Sequence, residues 1–184
     1  MDTFALRAAT PADAPALAHL ANQYTYQQLS VAARQDGFLT GSFSTPALQA
    51  MLASVPGQVA YREGELAGFV INSRLAPDRY PPLVQAICAL LPALYYRQRA
   101  LADYHWFFYG PVLVQPPYRG HGLLRRLFEA NRAALAGRFD LGIAFIAEEN
   151  EASLRVHTQK LGLELVGRLT FQDTGYAIAV FPVG

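Results

Sequence analysis

Between Pro111 and Leu135 the sequence reads PVLVQPPYRGHGLLRRLFEANRAAL. A short apolar run passes through two prolines and a glycine-bearing turn into a helix. Leu123, Leu124, Leu127, Phe128, Asn131, Ala134 and Leu135 fall on one face of that helix, and Arg125, Arg126, Glu129 and Arg132 fall mainly elsewhere. A helix patterned in this way lies on a sheet with its polar side to solvent. The feature therefore requires a strand, a tight turn and a sheet-packed helix in immediate succession.

The rest of the chain supplies the sheet. Thr3 to Ala9 reads as a first strand. Thr10 is a good N-cap, Pro11 suits a first helical position, and Leu17, Leu20, Ala21 and Tyr24 recur at helical spacing. His19 falls off that stripe and is read as a surface residue. Arg34 to Ser44 is a loop with two glycines, and TPALQAMLAS (Thr45 to Ser54) is a second helix. GQVAYREGELAGFVINSRL alternates on both sides of Arg62-Glu63-Gly64 and reads as a hairpin. Ala76 to Asp103 carries four prolines and a helical apolar pattern, which suggests a helical excursion from the sheet. Tyr104 to Val114 is an aromatic strand interrupted by Gly110-Pro111, where a bulge or a break in pairing is expected. Leu141 to Ala147 is a buried strand, Asn150 to Leu161 a helix closed by Gly162, and LELVGRL and TGYAIAVF the last two strands.

Composition narrows the function classes. With 184 residues, 52% hydrophobic and 16% charged, the chain suits a single domain, 1–184, with an embellishment at 76–103. A formal net charge of +1 gives no basic footprint for nucleic acid. The single cysteine, Cys88, excludes an internal disulfide and reads as a buried, inert thiol. The stretch MDTFALRAAT lacks the pattern of a signal peptide. The longest apolar stretch, Leu83 to Tyr96, is too short to span a bilayer and contains Pro92. A cytoplasmic protein with no membrane partner is expected.

The turn RGHG has chemical content. The first N–H groups of a helix lack intrahelical acceptors and carry partial positive charge. Glycine removes the Cβ atoms that keep a ligand away, and Arg119 adds a full charge. Strand, glycine turn and helix N-terminus together make an anion site. A lone GxG is equally compatible with a plain turn. It is neither a Walker motif nor the dinucleotide fingerprint.

The run V-L-V-Q-P-P-Y-R-G-H-G-L resembles the acetyl-CoA motif of the GNAT acyltransferase superfamily, with Arg119, Gly120, His121, Gly122, Leu123 and Leu124 in the Arg/Gln-x-x-Gly-x-Gly/Ala places. Leu124 departs from the glycine or alanine usual there. Downstream, N-E-A-S-L-R-V-H-T-Q-K-L-G-L is similar to the family's Asn-x-x-Ala/Ser-x-x-x-Tyr segment, filled by Asn150, Ser153, His157, Gly162 and Leu163. His157 replaces a common tyrosine, and the span from His157 to Gly162 is one residue longer than usual.

The resemblance implies an α/β, mixed and mostly antiparallel sheet of about seven strands. It implies helices on both faces and a splay between the fourth and fifth strands, Trp106–Val114 and Leu141–Ala147. It implies an N-acetyltransferase that moves an acyl group from acetyl-CoA, as co-substrate and without a metal, to a primary amine by direct attack. A non-catalytic acyl-CoA-binding module is the alternative. The donor would be held by Leu113 and Val114 of the splayed strand, by Arg119 to Leu124, and by Asn150 and Ser153. His157 is placed as the acid toward the leaving thiolate, although a core histidine is equally natural there. Phe145 stands where family members often have a glutamate base. Glu148, Tyr109, His105 or ordered water are left for the proton, and Glu148 and Glu149 also suit simple charges near a positive helix end. The acceptor side is expected at Gly37, Phe38 and Phe43, with Tyr80, Tyr104 and Trp106, under a lid or wall formed by 76–103. The acceptor itself is unidentified, and a homodimer is left open.

Overall fold

Glu63 and Gly64 both adopt positive φ, 52° and 85°. They close a two-residue hairpin between β2 (Gly57–Arg62) and β3 (Glu65–Ser73), because that turn geometry matches the twist of the strands it joins. The structure, a computed structural model, describes residues 3–184; Met1 and Asp2, at the head of the stretch read for a leader, lie outside them. With β1 (Ala5–Ala9), β6 (Trp106–Val114), β7 (Leu141–Ala147), β8 (Glu164–Phe171) and β9 (Thr174–Pro182) the hairpin forms a seven-stranded sheet in the order β1-β2-β3-β6-β7-β9-β8. Every neighbouring pair is antiparallel except β6 with β7. This is the expected mixed architecture, and β6 and β7 are its expected fourth and fifth strands.

Two departures from regular pairing shape the molecule. Opposite β3, β6 holds one extra residue between Tyr109 and Val112. The bulge falls at Gly110-Pro111, where proline has no N–H to give the ladder. It also shifts the alternation. Trp106 and Phe108 face one side and Phe107 and Tyr109 the other, while Leu113 rejoins the first side after the bulge. On its other edge, β6 pairs with β7 only from Trp106 to Phe108, against Leu141 to Ile143. Beyond Phe108 the two parallel strands part, and that is the expected splay.

Helices cover both faces. α5 (Leu123–Leu135) lies on one, burying Leu123, Leu127, Phe128 and Leu135 against β2, β3 and β6. Asn131, which the apolar stripe includes, is buried because Asn72 of β3 answers it: Asn72 Nδ2 donates to Asn131 Oδ1 at 2.7 Å and Asn131 Nδ2 returns a bond at 3.2 Å. The opposite face carries α1 (Ala14–Asn22) and α3 (Thr45–Ser54) over β2 and β3. Thr10 caps a 3₁₀ turn that opens with Pro11, and α1 itself begins at Ala14. Asp13 bonds the Thr10 N–H and takes both nitrogens of Arg7, which holds its carboxyl below the usual range. α1 stops at Asn22, whose side-chain amide turns to the N–H and C=O of Phe43. A four-residue helix, α2 (Val31–Arg34), capped by the Ser30 hydroxyl, precedes the loop and ends at Arg34, where the expected loop begins.

The segment 76–103 is only partly helical. After α4 (Pro82–Leu90) it forms a two-stranded ribbon, β4 (Tyr95–Tyr96) and β5 (Arg99–Ala100), outside the main sheet. Arg97 and Gln98 take positive φ at its tip and provide the tight reversal that the apolar pattern masked. The insert packs Tyr80, Ile87, Leu91 and Leu101 on Trp106, Phe108, Ile143 and Ile178. It thereby roofs the half of the face that α1 and α3 leave uncovered.

The helix after β7 is also modified. α6 (Glu151–Arg155) continues as a π turn over Val156–Lys160, in which the Leu161 N–H reaches the Val156 carbonyl at 3.0 Å. A π turn accommodates one more residue than an α turn. The π turn falls across the start of the His157–Gly162 span.

Candidate active site

The splay exposes one edge of β6. Val112, Leu113 and Val114 pair with β3 on their other side and form the floor of a cleft of about 510 Å³. Its far wall is α6 with the π turn, through Ser153, His157 and Lys160, and its upper end is the loop from Arg119 into α5. Gly120 and Gly122 sit there at φ 80° and 74°, and open space lies where each Cβ would be. Gly122 is the N-cap of α5 and offers no side-chain acceptor to the first N–H groups. The backbone donors of Leu123, Leu124 and Arg125 therefore open onto the cleft, as the helix geometry dictates. Leu124 lines the cleft beside them, so the unusual side chain at that position leaves the donors in place.

Among the described residues, three cationic side chains line this cleft, Arg119, Arg125 and Lys160, against one acid, Asp36. Arg119 is anchored by Nε to the Val114 carbonyl at 3.0 Å, tying the turn to the end of β6. Arg125 reaches the Lys160 carbonyl with its guanidinium, so α5 and the π turn are joined across the cleft. The sequence pattern does not mark Arg125 or Lys160 as cleft residues. Arg125 lies off the apolar stripe, and Lys160 reaches the cleft through the π turn, which no residue pattern announces.

His157 lines the same cleft and is buried. Its Nδ1 lies 2.8 Å from the Ser153 carbonyl, which can only accept, so Nδ1 carries the proton. Nε2 then accepts, and the Tyr109 hydroxyl stands 3.5 Å away. Burial pushes the imidazole pKa down, and it pushes the Tyr109 phenol up. As placed, the ring is neutral with no proton on Nε2 to give. Tyr109 itself is enclosed by Phe128, Phe181 and His157 and does not line the cleft.

Other candidates are arranged differently from one another. Asn150 is buried, but its amide serves protein partners. Oδ1 accepts from the Ser153 N–H at 3.4 Å, and Nδ2 donates to the Phe38 carbonyl at 2.7 Å. Glu148 is held by two nitrogens of Arg168, at 2.5 and 2.9 Å, which keeps its carboxyl below the usual range. His121 does not line the cleft. Tyr104 and Trp106 lie at the paired end of β6, away from the splay. Tyr104 donates its hydroxyl to the Tyr96 carbonyl, and Trp106 lies beneath the Arg74 guanidinium at 3.6 Å. Neither they nor any residue of 76–103 lines the cleft or the cavity beside it. Cys88 is half-buried and its thiol is pushed up by burial, in keeping with an inert role.

That neighbouring cavity, about 530 Å³, lies between the loop after α1 and the adjacent ends of β7 and β9. Tyr26, Phe38, Glu149 and Tyr176 are among its walls. Phe38 lines both spaces and forms the partition between them. Among the sequence candidates for an acceptor, Phe38 alone of Phe38, Tyr104 and Trp106 stands here.

The sequence matches the acetyltransferase (GNAT) family over residues 18–163, and the chain belongs to that family. No curated protein sequence matches it. Solved structures share the fold at low identity. The smu.2055 protein of Streptococcus mutans superposes with a TM-score of 0.66 at 15% identity, covering 98% of this chain and 99% of that one. YncA of Salmonella typhimurium, solved with its cofactor acetyl-CoA, gives 0.59 at 17% identity over 99% and 95%. The N-acetyltransferase YhbS of Escherichia coli, in complex with CoA, gives 0.60 at 17% identity over 100% and 83%. No helix among the described residues is long and apolar enough to cross a membrane, and no group of side chains there could hold a metal ion.

Proposed function

We propose that the protein transfers an acetyl group from acetyl-CoA to a primary amine by direct attack on the thioester. The observation that carries this reading is the cleft itself: a free β-strand edge runs up to open helix N–H groups, with Arg119, Arg125 and Lys160 around them. Such a shape suits an extended ligand with a polyanionic end and an amide-bearing arm.

In this reading the loop Arg119–Leu124 and the cations hold the phosphates, and the edge at Leu113 and Val114 receives the arm and the thioester oxygen. An N–H aimed at that oxygen stabilises the negative charge it gains when the amine attacks, typically by about 3 kcal/mol in acyl transfer. The new C–N bond forms, the C–S bond breaks, and the amine proton leaves to a base or water while CoA departs as thiolate. His157, neutral and tied to Ser153, bounds this end of the cleft and orders it with Tyr109; this suits positioning better than proton donation. Asn150 acts at one remove, by fixing Phe38 and the start of α6. Glu148, already committed to Arg168, is a weak candidate for the base.

Calorimetric titration with acetyl-CoA tests the first half. Binding is expected, with a rise in melting temperature, and the Gly122→Glu variant should lose both while keeping its circular dichroism spectrum. Release of free CoA with an amine panel tests the second half. A chain that binds acetyl-CoA tightly and turns over no amine would instead be a binding module.

A further inference from the structure

The second cavity has a chemical character of its own. Its walls include three aromatic rings, Tyr26, Phe38 and Tyr176, and the hydroxyls of Thr25 and Thr40. Among the described residues that line it, only Glu149 is charged. Nearby cations are turned elsewhere. Arg34 lies flat on Tyr26 at 3.8 Å, gives its Nε to the Tyr26 carbonyl, and is not part of the lining. Arg168 is committed to Glu148. Tyr176 is buried, and burial together with the Glu149 charge pushes its phenol up, against a hydrogen bond with Thr174.

We infer that this cavity takes the acceptor as a single cation on an uncharged body, an arylalkylamine or an amino-acid amide, with Glu149 pairing the ammonium and Tyr26, Phe38 and Tyr176 flanking the body. The inference rests on the acetyl-transfer reading and specifies its substrate class. One carboxylate matches one ammonium, and aromatic faces add attraction for a cation. A polyamine or lysine-rich peptide would bring second and third charges to walls that offer no further carboxylate. An α-amino acid would set its own carboxylate beside Glu149 with no lining cation to receive it, and like charges at such range are costly. The position suits transfer as well, since Phe38 separates this cavity from the donor cleft by one side chain.

The test uses compounds of matched body: phenethylamine, phenylalaninamide and phenylalanine, with spermidine as the polycation. CoA release is measured for each with the full chain and acetyl-CoA. Amine binding is measured separately, without acetyl-CoA, by saturation-transfer NMR. Expected are kcat/KM values for phenethylamine and phenylalaninamide at least tenfold above those for phenylalanine and spermidine. Glu149→Gln should raise KM for the two favoured amines about tenfold or more while the calorimetric Kd for acetyl-CoA stays unchanged. A preference for phenylalanine or spermidine, or an unchanged KM in Glu149→Gln, overturns the inference. So does the absence of any amine signal in a protein that binds acetyl-CoA normally, and that result leaves the donor reading standing. NMR binding of phenethylamine that is lost in Glu149→Gln, in a protein that fails to bind acetyl-CoA, supports the cavity and overturns acetyl transfer instead.

Discussion

The Asn150 side chain holds two parts of the molecule that are 112 positions apart: Nδ2 donates to the Phe38 carbonyl at 2.7 Å while Oδ1 caps the first turn of α6. Phe38 divides the two cavities, so this one amide sets the partition relative to the helix that carries Ser153 and His157. Asn150→Ala should cost about 1 kcal/mol through the lost cap, with a further penalty from the unpaired Phe38 carbonyl. The more specific consequence is kinetic. KM for the amine should rise more than stability alone accounts for, and Asn150→Asp, which keeps the cap acceptor but cannot donate to Phe38, should share the kinetic defect. Thermal melts and steady-state rates on both variants decide it.

The cations of the cleft make a second expectation. Arg125 and Lys160 line it together with Arg119, and Arg125 touches the Lys160 carbonyl. If they face phosphates, acetyl-CoA affinity should fall as salt rises, since exposed charge pairs are screened. Arg125→Gln and Lys160→Gln should each weaken binding several-fold and flatten that salt dependence. Affinity that ignores both substitutions and salt would place the phosphates elsewhere. Calorimetry at low and high salt reads both effects.

Much of this arrangement is legible in the sequence because it is local. The hairpin at Glu63-Gly64, the bulge at Gly110-Pro111, the helix Thr45–Ser54 and the glycine turn before α5 each follow from residues within a few positions of one another. The second cavity does not. Tyr26, Phe38, Glu149 and Tyr176 come from four separate segments, and only the pairing of β7 with β9 beside the loop after α1 assembles them. Trp106 shows the opposite hazard. Its place on the splayed strand suggests a substrate wall, but strand alternation turns it toward the insert, and it stands where β6 is still paired. The ribbon at 95–100 was hidden because two-residue strands leave no periodicity to read.

The buried amide pair between Asn72 and Asn131 fixes α5 on β3, and with it the direction of the helix N-terminus. Asn72 also donates to the Pro56 carbonyl at 2.7 Å, so both amides are well used. Asn131→Leu leaves Asn72 Oδ1 without a donor and one of its N–H hydrogens without an acceptor in the interior, and should destabilise by about 2 kcal/mol. Replacing both with leucine removes the conflict. The double variant should recover part of the loss, less whatever the orphaned Pro56 carbonyl costs. Urea denaturation of the two singles and the double yields the coupling directly, and additive losses would mean that the pair does not act as a unit.

His157 gives the last prediction, in pH. Its pKa is lowered in the folded protein because burial disfavours the charged ring, whereas in the unfolded chain it returns to about 6.5. The unfolded state therefore binds the extra proton more readily below that value. The stability owed to the neutral ring is fully present above pH 6.5 and is lost as pH falls toward the lowered folded value, with a slope of at most about 1.4 kcal/mol per pH unit. In His157→Phe that component of the slope should vanish. The variant should be less stable than the parent at pH 7.5, because the Ser153 carbonyl and the Tyr109 hydroxyl lose their partner, and the gap should narrow by pH 5.5. A positioning role adds a kinetic signature. The rate near pH 6 should not increase through protonation of His157, and Tyr109→Phe should lower kcat in parallel with His157→Phe rather than independently of it. A rate that rises as the imidazole gains its proton would instead make the ring the acid.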